Sequence, residues 1–237
     1  MVLFAIMSAL LLLHGALGSS LSMAPLSQQL KNQIDVFAID FSGHGNASWP
    51  ENGFSMETFE DDVLRFVDSQ NLNSVHIFGY SMGGFVGLRL AMKFPERIKS
   101  LSTLATKFDW NEATCQQESQ MLDADLLQEK SPKFVQALSD LHAVHGWRKM
   151  IDETRNLLGG MHQYIFSDDQ LNNIKFPVRI MLGDRDKMVR LDETIKVFQS
   201  LQNAELAVLP GTPHPLEKVS TSLLSTLILQ QIKKLSS

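Results

Sequence analysis

The chain reads as an α/β protein, a mostly parallel sheet flanked by helices, and three observations predict this. Its 237 residues suit a single α/β unit. A composition of 44% hydrophobic and 20% charged residues can fill a sizeable core and excludes a disordered chain. From residue 8 onward, short apolar runs alternate with amphipathic stretches, the pattern of strands joined by crossover helices.

The first run, Leu10–Leu13, predicts a buried strand that enters the turn His14-Gly15-Ala16-Leu17-Gly18-Ser19. The thirteen apolar or small residues that open the chain are too few to span a bilayer as a helix. Ala16-Leu17-Gly18-Ser19 resembles a signal-peptide cleavage site, but residues 1–13 hold no Lys or Arg for a positive n-region. The expectation is a retained N-terminus and a cytoplasmic protein, with secretion as the minority reading. Ile34–Ile39 is the second strand, followed by Asp40-Phe41-Ser42-Gly43-His44-Gly45. A helix follows, N-capped by Ser55, with Phe59, Val63, Phe66 and Val67 on one face. Ser74–Phe78 is a strand, Gly79–Gly84 a sharp turn, and Phe85–Phe94 a helix stopped by Pro95. Ile98–Leu104, Val178–Leu182 and Leu206–Leu209 complete the strands.

Residues from about 107 to 168 break the rhythm, with no strand-like run. Their apolar positions, among them Trp110, Met121, Leu122, Leu126, Trp147, Met150, Ile151, Leu157 and Leu158, read as helical pieces inserted as a cap on one domain. Packing explains most of these side chains, and pocket lining is their second role.

Charge and cysteine content exclude several functions. Twenty-one basic residues against 26 acidic give a net charge of −5, and no basic run exceeds two residues, so nucleic acid is not an expected partner. The one cysteine, Cys115, allows no internal disulfide and no cysteine-based metal site. No histidine pair has the spacing of H-E-x-x-H, and Gly43-His44-Gly45 lacks the rest of a dinucleotide fingerprint. Neither metal nor cofactor is expected.

Gly79-Tyr80-Ser81-Met82-Gly83 matches G-x-S-x-G between a strand and a helix. Small residues at its ends allow a turn tight enough to expose the serine hydroxyl at the sheet's edge. Serine is a weak nucleophile and needs a base that an acid orients. Gly183-Asp184-Arg185-Asp186 follows one later strand, and Gly211-Thr212-Pro213-His214 follows the next. His214 is the only histidine after residue 162.

These segments, with the His14-Gly15 turn and the Asp40–Gly45 loop, resemble the α/β-hydrolase superfamily, in its order and across residues 10 to 217. The resemblance implies Ser81 as nucleophile, His214 as general base and then acid, and Asp186 as its orienting partner, with Asp184 the rival acid. It implies backbone N–H groups of Ala16 and Met82 as the oxyanion hole. The reaction expected is hydrolysis of an ester or related acyl bond of a small, largely apolar molecule, through an acyl-enzyme. Alternatives on the same triad are carbon–carbon bond hydrolysis, synthase-type elimination and perhydrolysis, and from another class a slow-turnover ligand receptor. The chain departs from the family in two ways. Too few residues precede His14 for the usual two strands, so the sheet's antiparallel edge is expected to be shortened. Phe85 stands where a subgroup of the family with Gly-Tyr-Ser-Met-Gly-Gly-Arg, which includes a menaquinone-pathway synthase, has arginine, and this argues against a polyanionic substrate. His14 and His44 are expected to brace loops, and His76 to be packed or edge-exposed. The partner expected is a small-molecule substrate, with no stable membrane insertion and the oligomeric state unknown.

Overall fold

The computed structural model describes residues 9–235. Six strands form one sheet: β1 (Ala9–Leu13), β2 (Asp35–Ile39), β3 (Val75–Tyr80), β4 (Ile98–Leu104), β5 (Val178–Gly183) and β6 (Ala204–Leu209). Their order is β2-β1-β3-β4-β5-β6, and every pairing among the described residues is parallel. The shortened edge is therefore seen as a sheet that has β2 at its margin and no antiparallel partner among those residues.

The run of four leucines is explained by burial on two faces. Leu11 and Leu13 point into one core layer, while Leu10 and Leu12 point into the other, and all four are at most 1% exposed. The first layer holds α2 (Met56–Ser69), α3 (Met82–Lys93) and α9 (Leu191–Ser200), and the second holds α1 (Ala24–Leu30) and α10 (Thr221–Lys234). Helix α2 begins as its sequence predicts, with the Ser55 side chain accepting the Thr58 N–H at 3.1 Å. In α10, Leu224, Ile228, Leu229 and Ile232 recur at helical spacing and are buried against the sheet.

The loop leaving β1 leads into α1 on one face of the sheet, and the loop leaving β3 leads into α3 on the other. The loops leaving β1 and β3 therefore diverge and open a crevice at the carboxyl edge of the sheet, where ligands bind in such folds. Between β4 and β5 lie α4 (Glu112–Gln120), α5 (Ala124–Lys130), α6 (Pro132–Leu141), α7 (Trp147–Gly159) and α8 (Asp168–Asn172), with no strand among them. Met150, Ile151 and Leu157 pack inward, but Met121 and Leu126 are exposed, as are Phe134, Val144 and Ile165 of the same segment. No helix among the described residues is long and apolar enough to cross a membrane.

Candidate active site

The turn at the serine is tighter than the sequence suggests. Strand β3 continues through Tyr80 and α3 already begins at Met82, so the whole reversal falls on Ser81. Its φ of 50° and ψ of −115° lie in a region costly for a residue with a side chain, on the order of 1–3 kcal/mol. The surroundings impose that conformation. Ser81 N–H donates to Leu104 C=O at 2.8 Å, and Ser81 C=O accepts from Gly84 N–H and from the Thr106 hydroxyl at 3.0 and 3.1 Å. Glycine is required on both sides. A Cβ on Gly79 would stand 2.4 Å from the Gly83 carbonyl carbon, and one on Gly83 would stand 2.4 Å from the Leu13 carbonyl oxygen.

His214 follows β6 and Asp186 follows β5. Their side chains meet, with Nδ1 of His214 2.8 Å from Oδ2 of Asp186. The other carboxylate oxygen of Asp186 accepts the backbone N–H groups of Met188 and Val189 at 2.8 and 2.9 Å. Burial alone would raise this carboxyl's pKa, but the bonds from His214, Val189 and Met188 outweigh it and hold it below the usual range. Asp184 does not reach the histidine. It accepts the Thr212 N–H at 3.2 Å and acts as a turn residue. One further group holds the histidine and was not singled out from the sequence: the Tyr80 hydroxyl donates to the His214 carbonyl at 2.9 Å. Its place as the x of G-x-S was the available signal.

Ser81, His214, Ala16 and Met82 line one pocket of about 540 Å³, including its open mouth. Met82 is the first residue of α3, where backbone N–H groups lack intrahelical partners and the helix dipole favours negative charge. The remaining walls are mainly apolar, with Met56, Phe85, Trp110, Leu158, Met161 and Val189 prominent. Trp110 and Leu158 thus do serve the pocket as well as the packing. Phe85 packs against Phe166 at a tilt of 31°, with ring centroids 4.5 Å apart. Among the described residues, the ionisable lining groups besides His214 are Lys107 and Glu118, which pair with each other at 3.1 Å. The Lys107 ammonium also donates to Met188 C=O at 2.6 Å.

The other histidines take structural positions. His14 is wholly buried, with Nδ1 2.8 Å from Gly15 C=O and Nε2 accepting the Phe41 N–H at 3.2 Å. Burial pushes its pKa down to about 4, so the ring is neutral at pH 7. His44 stacks on Phe54, with Nδ1 3.2 Å from Ser42 C=O, and burial likewise holds it well below the ordinary histidine range. His76 is buried in β3 against the Ser100 hydroxyl, 2.7 Å away. These positions match the loop-bracing and packing expected of them.

Residues 8–129 match the family model of the alpha/beta hydrolase fold, which is half of the chain. The chain belongs to the α/β hydrolase fold family. A carboxylesterase of Bacillus subtilis is 28% identical over 194 residues, covering 76% of this chain and 64% of the relative. A 2-(acetamidomethylene)succinate hydrolase of Mesorhizobium japonicum is 22% identical over 233 residues, covering 90% of this chain and 84% of the relative. Among solved structures, a thermophilic esterase from Thermogutta terrifontis superposes with a TM-score of 0.80 at 16% identity, covering 97% of this chain and 91% of that one. Relatives matched over most of this chain include hydrolases and an esterase, and the chain is an enzyme of their family.

Proposed function

We propose that the protein is a serine hydrolase that cleaves an ester or related acyl bond of a small, largely apolar molecule. One observation carries the reading: a serine forced into a left-handed turn shares a pocket with a histidine whose far nitrogen is held by a buried carboxylate. Ser81 Oγ attacks the acyl carbonyl while Nε2 of His214 takes its proton, and Asp186 fixes the tautomer with Nδ1 protonated. Charge that develops on the carbonyl oxygen meets the N–H groups of Ala16 and Met82. His214 returns the proton to the departing alkoxide and leaves an acyl-enzyme. It then takes a proton from water, whose oxygen attacks the acyl carbon, and passes that proton to Ser81 Oγ as the acyl–Oγ bond breaks and the product acid leaves. Every proton in this scheme moves among Ser81, His214, water and substrate.

The walls support an uncharged acyl group. Phe85 offers an aromatic face and no cation, and the Lys107 charge is met by Glu118. A polyanion entering this pocket would lose hydration without a counter-charge to replace it. We read the helices between β4 and β5 as the cap that closes over this space. Strand β1 lies inside the sheet and leads to Ala16 in the pocket, which argues against cleavage after Gly18.

A panel of p-nitrophenyl esters of graded acyl length, beside a vinylogous diketone, tests the reading. Turnover of neutral short or medium esters, with little cleavage of the diketone, is expected. Cleavage of the diketone above every ester would make the enzyme a carbon–carbon hydrolase. A burst of p-nitrophenol followed by almost no turnover would make it a slow receptor.

A further inference from the structure

His142 lies outside the proposed triad, yet it touches the loops that leave β1 and β2. It caps the C-terminus of α6, where its N–H donates to Leu138 C=O at 2.9 Å and its own carbonyl accepts from Gly146 N–H at 2.9 Å. The ring is completely buried. Its Nδ1 accepts the Gly45 N–H at 3.0 Å, and its Nε2 lies 3.0 Å from the Leu17 carbonyl oxygen. An amide can only donate and a carbonyl can only accept, so one neutral tautomer satisfies both bonds, with the proton on Nε2. Burial favours that neutral form.

The Leu17 carbonyl belongs to a strained turn. Leu17 has φ of 60°, the left-handed region that a leucine avoids. The turn is closed by Gly18 N–H donating to Gly15 C=O at 3.1 Å, and Ala16 sits in its middle. An Ala16 amide can serve a developing oxyanion only while this turn keeps its shape, because donor placement must be right before charge appears. Two side chains grip the turn from outside: His14 at Gly15 C=O and His142 at Leu17 C=O. His14 belongs to the sheet's own loop, whereas His142 comes from the cap, 125 residues beyond Leu17.

We propose that His142 is a positioning residue that sets the Ala16 amide from the cap, so that the oxyanion hole is complete only when α6 is seated on the Leu17 and Gly45 loops. The proposal rests on the serine-hydrolase reading above. It makes the cap more than a lid, because its seating and the competence of the oxyanion hole become one event. A cap displaced by a badly fitting substrate leaves Ser81 and His214 in place and spoils the transition state alone.

Two variants separate the bonds. His142→Asn keeps a short acceptor for Gly45 N–H and cannot reach Leu17. His142→Gln keeps a long N–H donor for Leu17 C=O. With a p-nitrophenyl ester as substrate, His142→Asn is expected to lose about 10- to 100-fold in kcat, with KM changed by less than about threefold. Affinity for a trifluoromethyl ketone, whose serine adduct carries the oxyanion, should fall by the same factor as kcat. His142→Gln should stay within about fivefold of wild type in both. His145→Leu removes a neighbouring cap bond, from the ring to Ala47 C=O at 2.7 Å, and should leave kcat unchanged. Equal kcat for the Asn and Gln variants, a loss confined to KM, or unchanged ketone affinity would overturn the proposal. A wild type that neither turns over esters nor binds the ketone would overturn the hydrolase reading as well, so the two failures look different.

Discussion

Replacing Asp186 by asparagine should disable the enzyme without unfolding it, and the geometry indicates by how much. The Asp186 side chain is 1% exposed, against 39% for Asp184 two residues earlier. Asparagine can keep its oxygen on the Met188 and Val189 amides, which now bond one carboxylate oxygen at 2.8 and 2.9 Å. Its NH₂ group then faces Nδ1 of His214 where an acceptor stood at 2.8 Å. The ring responds by moving its proton to Nε2, the nitrogen that must accept the Ser81 proton, so the base is lost while the packing is kept. Loss of the correct tautomer costs on the order of 10³–10⁴ in kcat, or about 4–5.5 kcal/mol at 1.36 kcal/mol per decade. Asp184→Asn retains an oxygen for the Thr212 N–H, its 3.2 Å partner, and should change kcat by less than about threefold. The assay is kcat on a chromogenic ester for both variants, with the thermal midpoint measured alongside. The assignment fails if Asp184→Asn is the more damaging change, or if Asp186→Asn stays within about tenfold of wild type.

Three further outcomes follow from the same geometry. His14 and His76 are both lowered by burial to about 4 in the fold, against 6.5 for an ordinary histidine. The unfolded chain therefore binds more protons than the fold between those values, and stability falls as pH drops from about 6.5 towards 4. Each histidine should cost up to about 2 kcal/mol at pH 5, and a urea midpoint equal at pH 7 and pH 5 would refute their buried, neutral placement. Gly83→Ala would set a methyl 2.4 Å from the Leu13 carbonyl oxygen, backbone that cannot move aside, so it should destabilise by more than about 3 kcal/mol. A variant with wild-type stability by denaturant titration would contradict the elbow geometry. Removing residues 1–18 deletes β1 from between β2 and β3, together with four leucines worth roughly 1.5–3 kcal/mol each in burial. That protein should not give a cooperative thermal transition, and an active, folded product would overturn the placement of β1.

The parts of this molecule that obey short-range rules were legible from the residues. Leu10–Leu13 could be read as a two-faced strand because an unbroken apolar run of that length has few other homes. Ser55 could be read as an N-cap because the residue type and the following apolar spacing agree. Family resemblance prefers Asp186 to Asp184, and in the structure it is Asp186 whose carboxylate lies against His214, while Asp184 bonds the Thr212 N–H. Contacts made across long sequence separations were not legible. The bonds from His142 to Leu17 and Gly45 span 125 and 97 residues, and no local pattern marks their donor and acceptor as partners. The Lys107–Glu118 pair and the exposure of Met121 and Leu126 likewise depend on how the helices between β4 and β5 dock, which amphipathic spacing alone does not fix. The tightness of the turn at Ser81 was understated because the consequence of three nearby glycines is steric, and it becomes definite only once Leu13 and Thr106 are in place around them.

Covalent capture separates Ser81 from every other serine as the nucleophile of an acyl-transfer site. The wild-type protein is treated with a fluorophosphonate, its intact mass is measured, and the modified residue is located by peptide sequencing. One adduct per chain, on Ser81 alone, is expected, with none on Ser81→Ala and much slower labelling of His214→Ala. An adduct on another serine, or equal labelling of Ser81→Ala and wild type, would contradict the account.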